Sequence, residues 1–123
     1  MAKFSKFEEI QAWQKAREVT LRIYRITATG NFSKDFGLRD QIRRAAVSIM
    51  ANIAEGHGRR TNSEFANFLN LSRGSVAEVQ SHLYVASGLD YISQNDFDDL
   101  YQHLTEISRM TLSLAQYLRN SEK

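Results

Sequence analysis

The chain has 123 residues and a formal net charge of +2, with 42% hydrophobic residues, 24% charged residues, no cysteine and no proline. A chain of this length forms one domain, residues 1–123, and the composition excludes the disordered and fibrous classes. Because cysteine is lacking, disulfides, thiolate metal sites and a cysteine nucleophile are excluded, which favours the cytoplasm. Because proline is lacking, long helices and an all-α fold are favoured.

Charge is spread unevenly along the chain. Residues 1–30 carry six Lys and Arg against three acids, whereas residues 90–123 carry three against six. This uneven distribution of charge can orient a charged partner, but by itself it is too weak to indicate nucleic-acid binding. The first residues lack the apolar core of a signal peptide, and no stretch reaches the length of a membrane span, so we expect no membrane partner.

The first predicted helix covers residues 6–28. Ser5 and Glu8 have the spacing of a capping box, which predicts the helix start. Apolar residues then recur every three or four positions, the pattern of one buried face: Ala12, Ala16, Val19, Ile23 and Ile26. Trp13 and Tyr24 flank this stripe. Turn-forming residues from Thr27 to Asn31 end the helix.

The second predicted helix covers residues 35–55, with Gly56 just beyond its end. Its core stripe is Leu38, Ile42, Ala45, Ile49 and Ile53. The opposite face starts with the charged residues Arg39, Asp40, Arg43 and Arg44, and continues with Val47, Met50, Ala51 and Ala54. A monomer would leave this apolar half in water, and such a patch usually marks an interface. We therefore predict a subunit interface at the last four residues.

The third and fourth predicted helices cover residues 62–87 and 94–119. Capping boxes at Thr61 with Glu64, and at Ser93 with Asp96, predict their starts. Each helix carries one apolar stripe, and the fourth follows the 3-4 spacing of a bundle seam. Gly74, in the middle of the third helix, is interpreted as a close approach of a neighbouring helix. Short connections predict an antiparallel up-down-up-down four-helix bundle.

Two arrangements suggest chemistry, and both have simpler explanations. Glu78 with His82, and His103 with Glu106, are helical pairs, but they lack the Glu-x-x-His order of di-iron bundles. We therefore expect no metal and no cofactor. Acid–base residues are also found beside glycines, at Glu55 and His57. Since no nucleophile elbow, oxyanion motif or second acid accompanies them, we expect no catalytic residue and no enzyme.

The arginines are the candidate ligand contacts. Arg59 and Arg60 directly precede the third helix, whose first N–H groups carry partial positive charge and suit a phosphate or carboxylate. The second helix adds Arg39, Arg43 and Arg44. The alternative is that these arginines form salt bridges. Asp40 would then pair with Arg43 or Arg44, and Glu55 or Glu64 with Arg59 or Arg60.

The runs from Gly37 to Ile49 and from Asn52 to Arg59 strongly resemble the four-helix-bundle proteins encoded in bacterial 23S rRNA intervening sequences. The likeness extends over Trp13 to Ala16, Phe65 to Leu69, Gly74 to Glu78 and Leu89 to Ile92. Two loops depart from the family pattern. Members often have Phe-Pro where this chain has Phe32-Ser33, and Leu-Gly-Tyr where it has Leu89-Asp90-Tyr91.

The resemblance implies a ring-forming bundle, a pentamer, without enzymatic activity. The family is distantly similar to accessory proteins of diversity-generating retroelements, which engage nucleic acid and a reverse transcriptase. The leading prediction is a cytoplasmic, non-catalytic homo-oligomer that binds RNA, or DNA, through basic patches repeated around the assembly. Arg59 and Arg60 rank first, followed by Arg43, Arg44 and Arg39. The alternative is a protein-interaction scaffold whose arginines form salt bridges between subunits.

Overall fold

A computed structural model describes residues 4–121, which form four α-helices and two short 3-10 turns. The helices are α1 (Gln11–Ile26), α2 (Phe36–His57), α3 (Asn62–Gly88) and α4 (Gln94–Ser121), and the turns are Phe7–Glu9 and Asn31–Lys34. The predicted all-α fold class is confirmed. Within the described residues, no helix has the length and apolar character that crossing a membrane requires.

Contacts between neighbouring helices show that each pair is antiparallel. Asp35, just before α2, bonds to Tyr91 beyond α3, while Ser48 in the middle of α2 bonds to Ser75 in the middle of α3. Residue numbers thus fall along one helix as they rise along the other. The remaining pairs follow the same rule: Thr20 with Ala46, Arg43 with Thr27, Gln80 with Thr105, Asn67 with Arg119, Lys15 with Glu106, and Arg22 with Asp96. The topology is therefore up-down-up-down.

The helical stripes meet in one core. Its fully buried large side chains include Ile23, Ile42, Ile49, Ile53, Leu69, Leu83, Leu100, Leu104 and Ile107. Polar side chains in the core satisfy their hydroxyls on backbone carbonyls, as burial demands. Ser72 Oγ donates to the Ile49 carbonyl at 2.8 Å and so ties α3 to α2. Near the end of α4, Ala115 is buried in the core, and the larger Leu114 beside it is half-buried.

The predicted start of the first helix is wrong. The chain makes a 3-10 turn at Phe7–Glu9, and α1 begins only at Gln11. Ile10 separates the two with an extended backbone (φ −76°, ψ 118°) and buries its side chain in the core. Glu9, rather than Glu8, reaches back, because its Oε1 accepts from the Ser5 N–H at 3.0 Å. Burial of Ile10 thus decides where the helix begins.

The other helix starts are capped by side chains. Thr61 Oγ1 accepts from the Glu64 N–H, and Ser93 Oγ from the Asp96 N–H, both at 3.1 Å, as the two capping boxes predicted. At α2 the cap is Asp35, whose Oδ1 accepts from the Leu38 N–H at 3.1 Å. A cap side chain of this kind stabilises a helix by about 1 kcal/mol.

Two glycines have roles opposite to those predicted from their positions. Gly56 lies inside α2, which continues to His57, and a Cβ added there would be 2.7 Å from Phe68 Cβ. Close packing of α2 on α3 therefore requires this glycine. At Gly74 an added Cβ would meet nothing within 4 Å, so the predicted close approach of a neighbouring helix is wrong within one chain.

Candidate interaction surface on helices 1 and 2

Arg43 joins α2 to α1 without a carboxylate. Its Nε donates to Thr27 Oγ1 at 2.7 Å, and its Nη2 donates to the Tyr24 carbonyl at 3.3 Å. The guanidinium also lies over the Tyr24 ring, 4.7 Å from its centroid. Each of these partners is neutral. The side chain is therefore held in place while its positive charge stays uncancelled.

Arg39, one turn earlier, is ion-paired. Its Nε donates to Asp40 Oδ1 at 3.0 Å, its Nη1 donates to the Ser33 carbonyl at 3.1 Å, and it lies over the Phe36 ring. The predicted pairing of Asp40 with Arg43 or Arg44 is therefore wrong. The contacts of Arg43 with α1 account for this, because they draw its side chain to the other helix.

The two arginines before α3 differ from each other. Arg59 Nη2 lies 2.8 Å from Glu55 Oε2, and its guanidinium lies over the Phe68 ring at 4.6 Å. Arg60 is exposed, and within residues 4–121 it has neither an ion pair nor a hydrogen bond. Glu64 already places a carboxylate in the first turn of α3. The chain's own carboxylate thus partly offsets the positive charge of the predicted anion-binding site at this helix start.

Arg44 points to solvent from the outer side of α2. It is exposed and, in the described part of the chain, has no ion pair or hydrogen bond. With Tyr24, Asp40, Arg43 and Val47 it lines a shallow groove of about 400 Å³. On α1, Arg17 and Arg25 are likewise exposed and unpaired within residues 4–121.

The predicted interface residues form part of a larger apolar surface. Val47 is 40% exposed and Ala51 is exposed, whereas Ala54 and Met50 are half-buried and Met50 packs against the core. Beside them on α1 are Leu21, 37% exposed, and Tyr24, 41% exposed. We call Leu21, Tyr24, Val47 and Ala51, with the surrounding Arg17, Arg25, Arg43 and Arg44, the α1–α2 face.

Sequence reasoning missed the contribution of α1 to this face. Arg17, Leu21 and Tyr24 are spaced by four and three residues, which places them on one side of the helix. That spacing was the available signal, but the stronger core stripe on the same helix masked it. Which helix lies beside α2 at this level follows only from the fold, through the bond from Thr20 Oγ1 to the Ala46 carbonyl.

The titratable pairs lie on separate helices. His82 Nε2 is 3.5 Å from Glu78 on α3, whereas His103 on α4 lies 3.6 Å from Asp99 and 3.5 Å from Glu106. Among residues 4–121, no group of three or more His, Asp or Glu side chains is arranged to hold a metal ion.

The pair considered for acid–base work makes structural contacts. Glu55 is bound to Arg59, and His57 Nε2 donates to the Phe4 carbonyl at 2.8 Å. The imidazole ring also packs edge-on against Phe65. His57 therefore attaches the chain start to the end of α2.

One further groove was not predicted. It measures about 580 Å³ and lies between the start of α1 and the middle of α4. Its walls are mostly apolar and include Phe4, Ile10, Met110 and Leu114, with Arg109 and Glu9 among the polar residues. Residues about 100 positions apart form this groove, so no local pattern in the sequence signals it.

The fold and its exposed face define the class of small four-helix-bundle proteins with an outward apolar and cationic surface. Within that class, the chain belongs to the 23S rRNA-intervening sequence protein family, whose model matches residues 8–113.

It is also similar to the crystal structure of a protein of unknown function from the S23 ribosomal protein family of Bacteroides thetaiotaomicron. That likeness has a TM-score of 0.77 at 27% identity and covers 85% of this chain and 97% of that one. No curated protein matches the chain.

Proposed function

We propose that this chain is a non-catalytic module that assembles with copies of itself through the α1–α2 face. The observation that carries the proposal is the exposure of Leu21, Tyr24 and Val47, which are 37%, 41% and 40% exposed. Tyr24 and Val47 line one groove, and Leu21 is one helical turn from Tyr24. A contiguous apolar patch with a polar rim is typical of a protein interface. Finding a stoichiometric bound metal in the purified protein would contradict the non-catalytic part.

The arginines around this patch support the same reading. Interfaces are enriched in tyrosine and arginine, whose large side chains often carry most of the binding energy. Here Arg43 lies over the Tyr24 ring and bonds to the Tyr24 carbonyl, so the aromatic side chain is held before any partner arrives. Such preorganisation lowers the entropy lost on association.

The test is the replacement Val47→Asp. Val47 faces water in a single chain, so the replacement should leave the fold intact while placing a charge in the interface. We expect the mass from light scattering to fall towards the 14.1 kDa of one chain, with unchanged helical circular dichroism. Met50→Asp is a less clean test because Met50 also packs against the core.

The matched control is Gln102→Asp, at an exposed position of α4 away from this face. It should leave the mass of the assembly unchanged. A wild-type protein that stays monomeric at high concentration would overturn the proposal. So would a Val47→Asp variant with the wild-type mass.

A second candidate function is RNA binding, and the state of the arginines favours it. Arg43 has only neutral partners, and Arg44 and Arg60 are exposed without partners in the described part of the chain. Arg39 and Arg59 are ion-paired and thus weaker candidates. A chain that assembles through another surface leaves the α1–α2 face open, repeats these charges and gains avidity for phosphates. Backbone and shape recognition is the expected mode.

The test is binding of a structured RNA over a series of salt concentrations. Replacing Arg44 and Arg60 together by glutamine should weaken binding, and each lost phosphate contact should reduce the salt slope by about 1. The control Arg59→Gln removes a charge already paired with Glu55 and should have a smaller effect. Absence of binding at low salt would reject this candidate. Equal binding of DNA would indicate recognition of the phosphate backbone.

A further inference from the structure

The groove between the start of α1 and the middle of α4, which we call the α1–α4 groove, exists because α1 begins late. The ion pair of Lys15 with Glu106 sets the levels of these two antiparallel helices. Counting from it at equal rise per residue, Gln11 at the start of α1 lies at the level of Met110. Helix α4 continues beyond that level to Ser121. Helix α1 therefore does not cover this end of α4, and the groove opens there.

Apolar side chains line the α1–α4 groove from both helices. Phe4 and Ile10 lie on the side of the chain start, and Met110 and Leu114 lie one turn apart on α4. Met110 and Leu114 are half-buried, so part of each side chain still faces the groove. The volume of about 580 Å³ lies within the range of about 300–1,000 Å³ that is typical of small-molecule sites. An alkyl chain bound here would leave water for an apolar surface.

Arg109 brings an uncancelled positive charge to this groove. It is exposed and, among residues 4–121, has no ion pair or hydrogen bond. Glu106, one turn earlier on α4, lies 3.5 Å from both Lys15 and His103, so other cations already contact this carboxylate. The ion pairs between α1 and α4 thus end one turn before the groove.

The carboxylate of Glu9 also lines the groove, but it has a partner at the chain start. Its Oε1 accepts from the Ser5 N–H at 3.0 Å. No ion pair joins Glu9 to Arg109 in the described part of the chain. The α4 wall adds the exposed Ser113 hydroxyl, one turn beyond Arg109. A guanidinium binds a carboxylate through paired, charge-assisted hydrogen bonds. The groove therefore suits a ligand that joins a carboxylate to an alkyl chain.

We propose that the α1–α4 groove binds a medium-chain alkyl carboxylate, with the carboxylate on Arg109 and the alkyl chain along the apolar walls. The charge of Arg109 selects an anionic head group, and the apolar side chains select the tail. The groove lies on the α4 side of α1, away from the α1–α2 face. Binding is therefore independent of the proposed self-assembly, and the failure of either proposal leaves the other standing.

Calorimetric titration of the full chain with decanoate, below the concentration at which decanoate forms micelles, tests the proposal. We expect saturable binding with one decanoate per chain. Octanoate should bind more weakly, by up to about fourfold for each CH₂ removed. Decyltrimethylammonium has a tail of the same length and a positive head, and it should bind at least about tenfold more weakly. Absence of saturable decanoate binding, or equal binding of the cation, would overturn the proposal.

The replacement Arg109→Gln tests the head-group contact. It should weaken decanoate binding by about tenfold and leave the binding of the uncharged decanol unchanged. The matched control is Arg44→Gln, which removes the same charge from an exposed position of α2 without a partner in the described residues. The control should bind decanoate as the wild type does. Equal losses in the two variants would show a general attraction of charge and reject the assigned contact.

The replacement Ser113→Phe tests the tail contact by filling the groove. Ser113 is an exposed residue of α4, so the variant should keep the helical circular dichroism of the wild type. Binding of both decanoate and decanol should be lost. The control Gln102→Phe adds the same ring at an exposed position of α4 that does not line the groove, and it should retain binding. A folded Ser113→Phe variant with the wild-type affinity would place the ligand elsewhere and overturn the proposal.

Discussion

Helix α1 takes part in cation contacts on two sides, and the partners of the cations differ between them. Towards α4, Arg22 meets Asp96 and Asp99, and Lys15 meets Glu106 at 3.5 Å. Towards α2, the cation is Arg43 of α2, which contacts the Thr27 hydroxyl, the Tyr24 carbonyl and the Tyr24 ring. Charge is cancelled on the first side and retained on the second. An arginine with its hydrogen bonds satisfied is therefore not a neutralised arginine.

The difference decides which side can attract a partner. On the α4 side, His103 adds contacts to Asp99 and Glu106, so the charged groups bind one another. On the α2 side, the retained charge surrounds exposed Leu21 and Val47. A partner that buries this apolar area brings its carboxylates or phosphates into an uncompensated positive field.

The largest expected effect on the stability of one chain comes from Arg43→Met. Thr27 is fully buried, and its Oγ1 accepts from Arg43 Nε while donating to the Ile23 carbonyl. Loss of this charged donor, together with the contacts to Tyr24, should lower the free energy of unfolding by about 1–3 kcal/mol. Urea unfolding at low protein concentration, compared between the wild type and the variant, would measure it.

Arg44→Met is the matched control for that replacement. It removes the same charge from the next position of the same helix, but its guanidinium has no partner within residues 4–121. Its effect on unfolding should stay within about 0.5 kcal/mol. Equal losses in the two variants would show that the contacts of Arg43 with α1 do not stabilise the chain.

A smaller effect is expected from Arg22→Met on the α4 side. The arginine side chain is 30% exposed and its partners Asp96 and Asp99 are 46% and 56% exposed, so water and salt screen the pair. The loss should be about 0.5–1 kcal/mol at low salt and should shrink as salt is added. The Arg43→Met loss should depend little on salt, because its partners carry no charge. The same salt dependence in both variants would contradict the distinction between the two sides.

How far the sequence predicts this molecule depends on the range of the interaction concerned. The helical stripes are local, so the burial of residues such as Leu69, Leu83 and Leu104 follows from spacing alone. The start of α1 does not, because the burial of Ile10 in the assembled core overrides a capping pattern at Ser5. The roles of Gly56 and Gly74 do not follow from spacing either, because Phe68 on another helix decides that position 56 has no room for a side chain.

The candidate site was predicted in part for the same reason. The outward apolar run on α2 was visible, since Val47 and Ala51 lie opposite the core stripe of their own helix. The partners of the arginines were not visible, because Tyr24 and Thr27 lie on another helix and offer neutral groups that no charge pattern reveals. Of the alternatives that pair Glu55 or Glu64 with Arg59 or Arg60, the structure has the pair of Glu55 with Arg59, whose spacing of four residues is local.

The smallest expected effect concerns Asp35, a carboxylate bound by neutral donors, as Arg43 is a cation bound by neutral acceptors. Asp35 accepts from the Leu38 N–H and, at 3.0 Å, from the Tyr91 hydroxyl. The hydrogen bond to Asp35 raises the pKa of Tyr91 above its ordinary value of 10.0, and burial and the charge of Asp35 act in the same direction. Because the folded pKa is the higher one, the resulting stability is fully present below pH 10.0 and is lost as the pH rises through the folded value.

The replacement Tyr91→Phe tests whether this stability is lost, rather than gained, as the pH rises. The variant lacks the hydroxyl, so its urea midpoint should lie slightly below that of the wild type at neutral pH, and the gap should close as the pH passes above 10.0. The pKa of Tyr84 is also raised, through its hydrogen bond to Tyr101, but that contribution is common to both proteins and cancels in the difference. A gap that stays constant, or widens, at alkaline pH would show that the Tyr91 hydroxyl does not act through Asp35. The carboxylate at the start of α2 would then depend on the backbone cap alone.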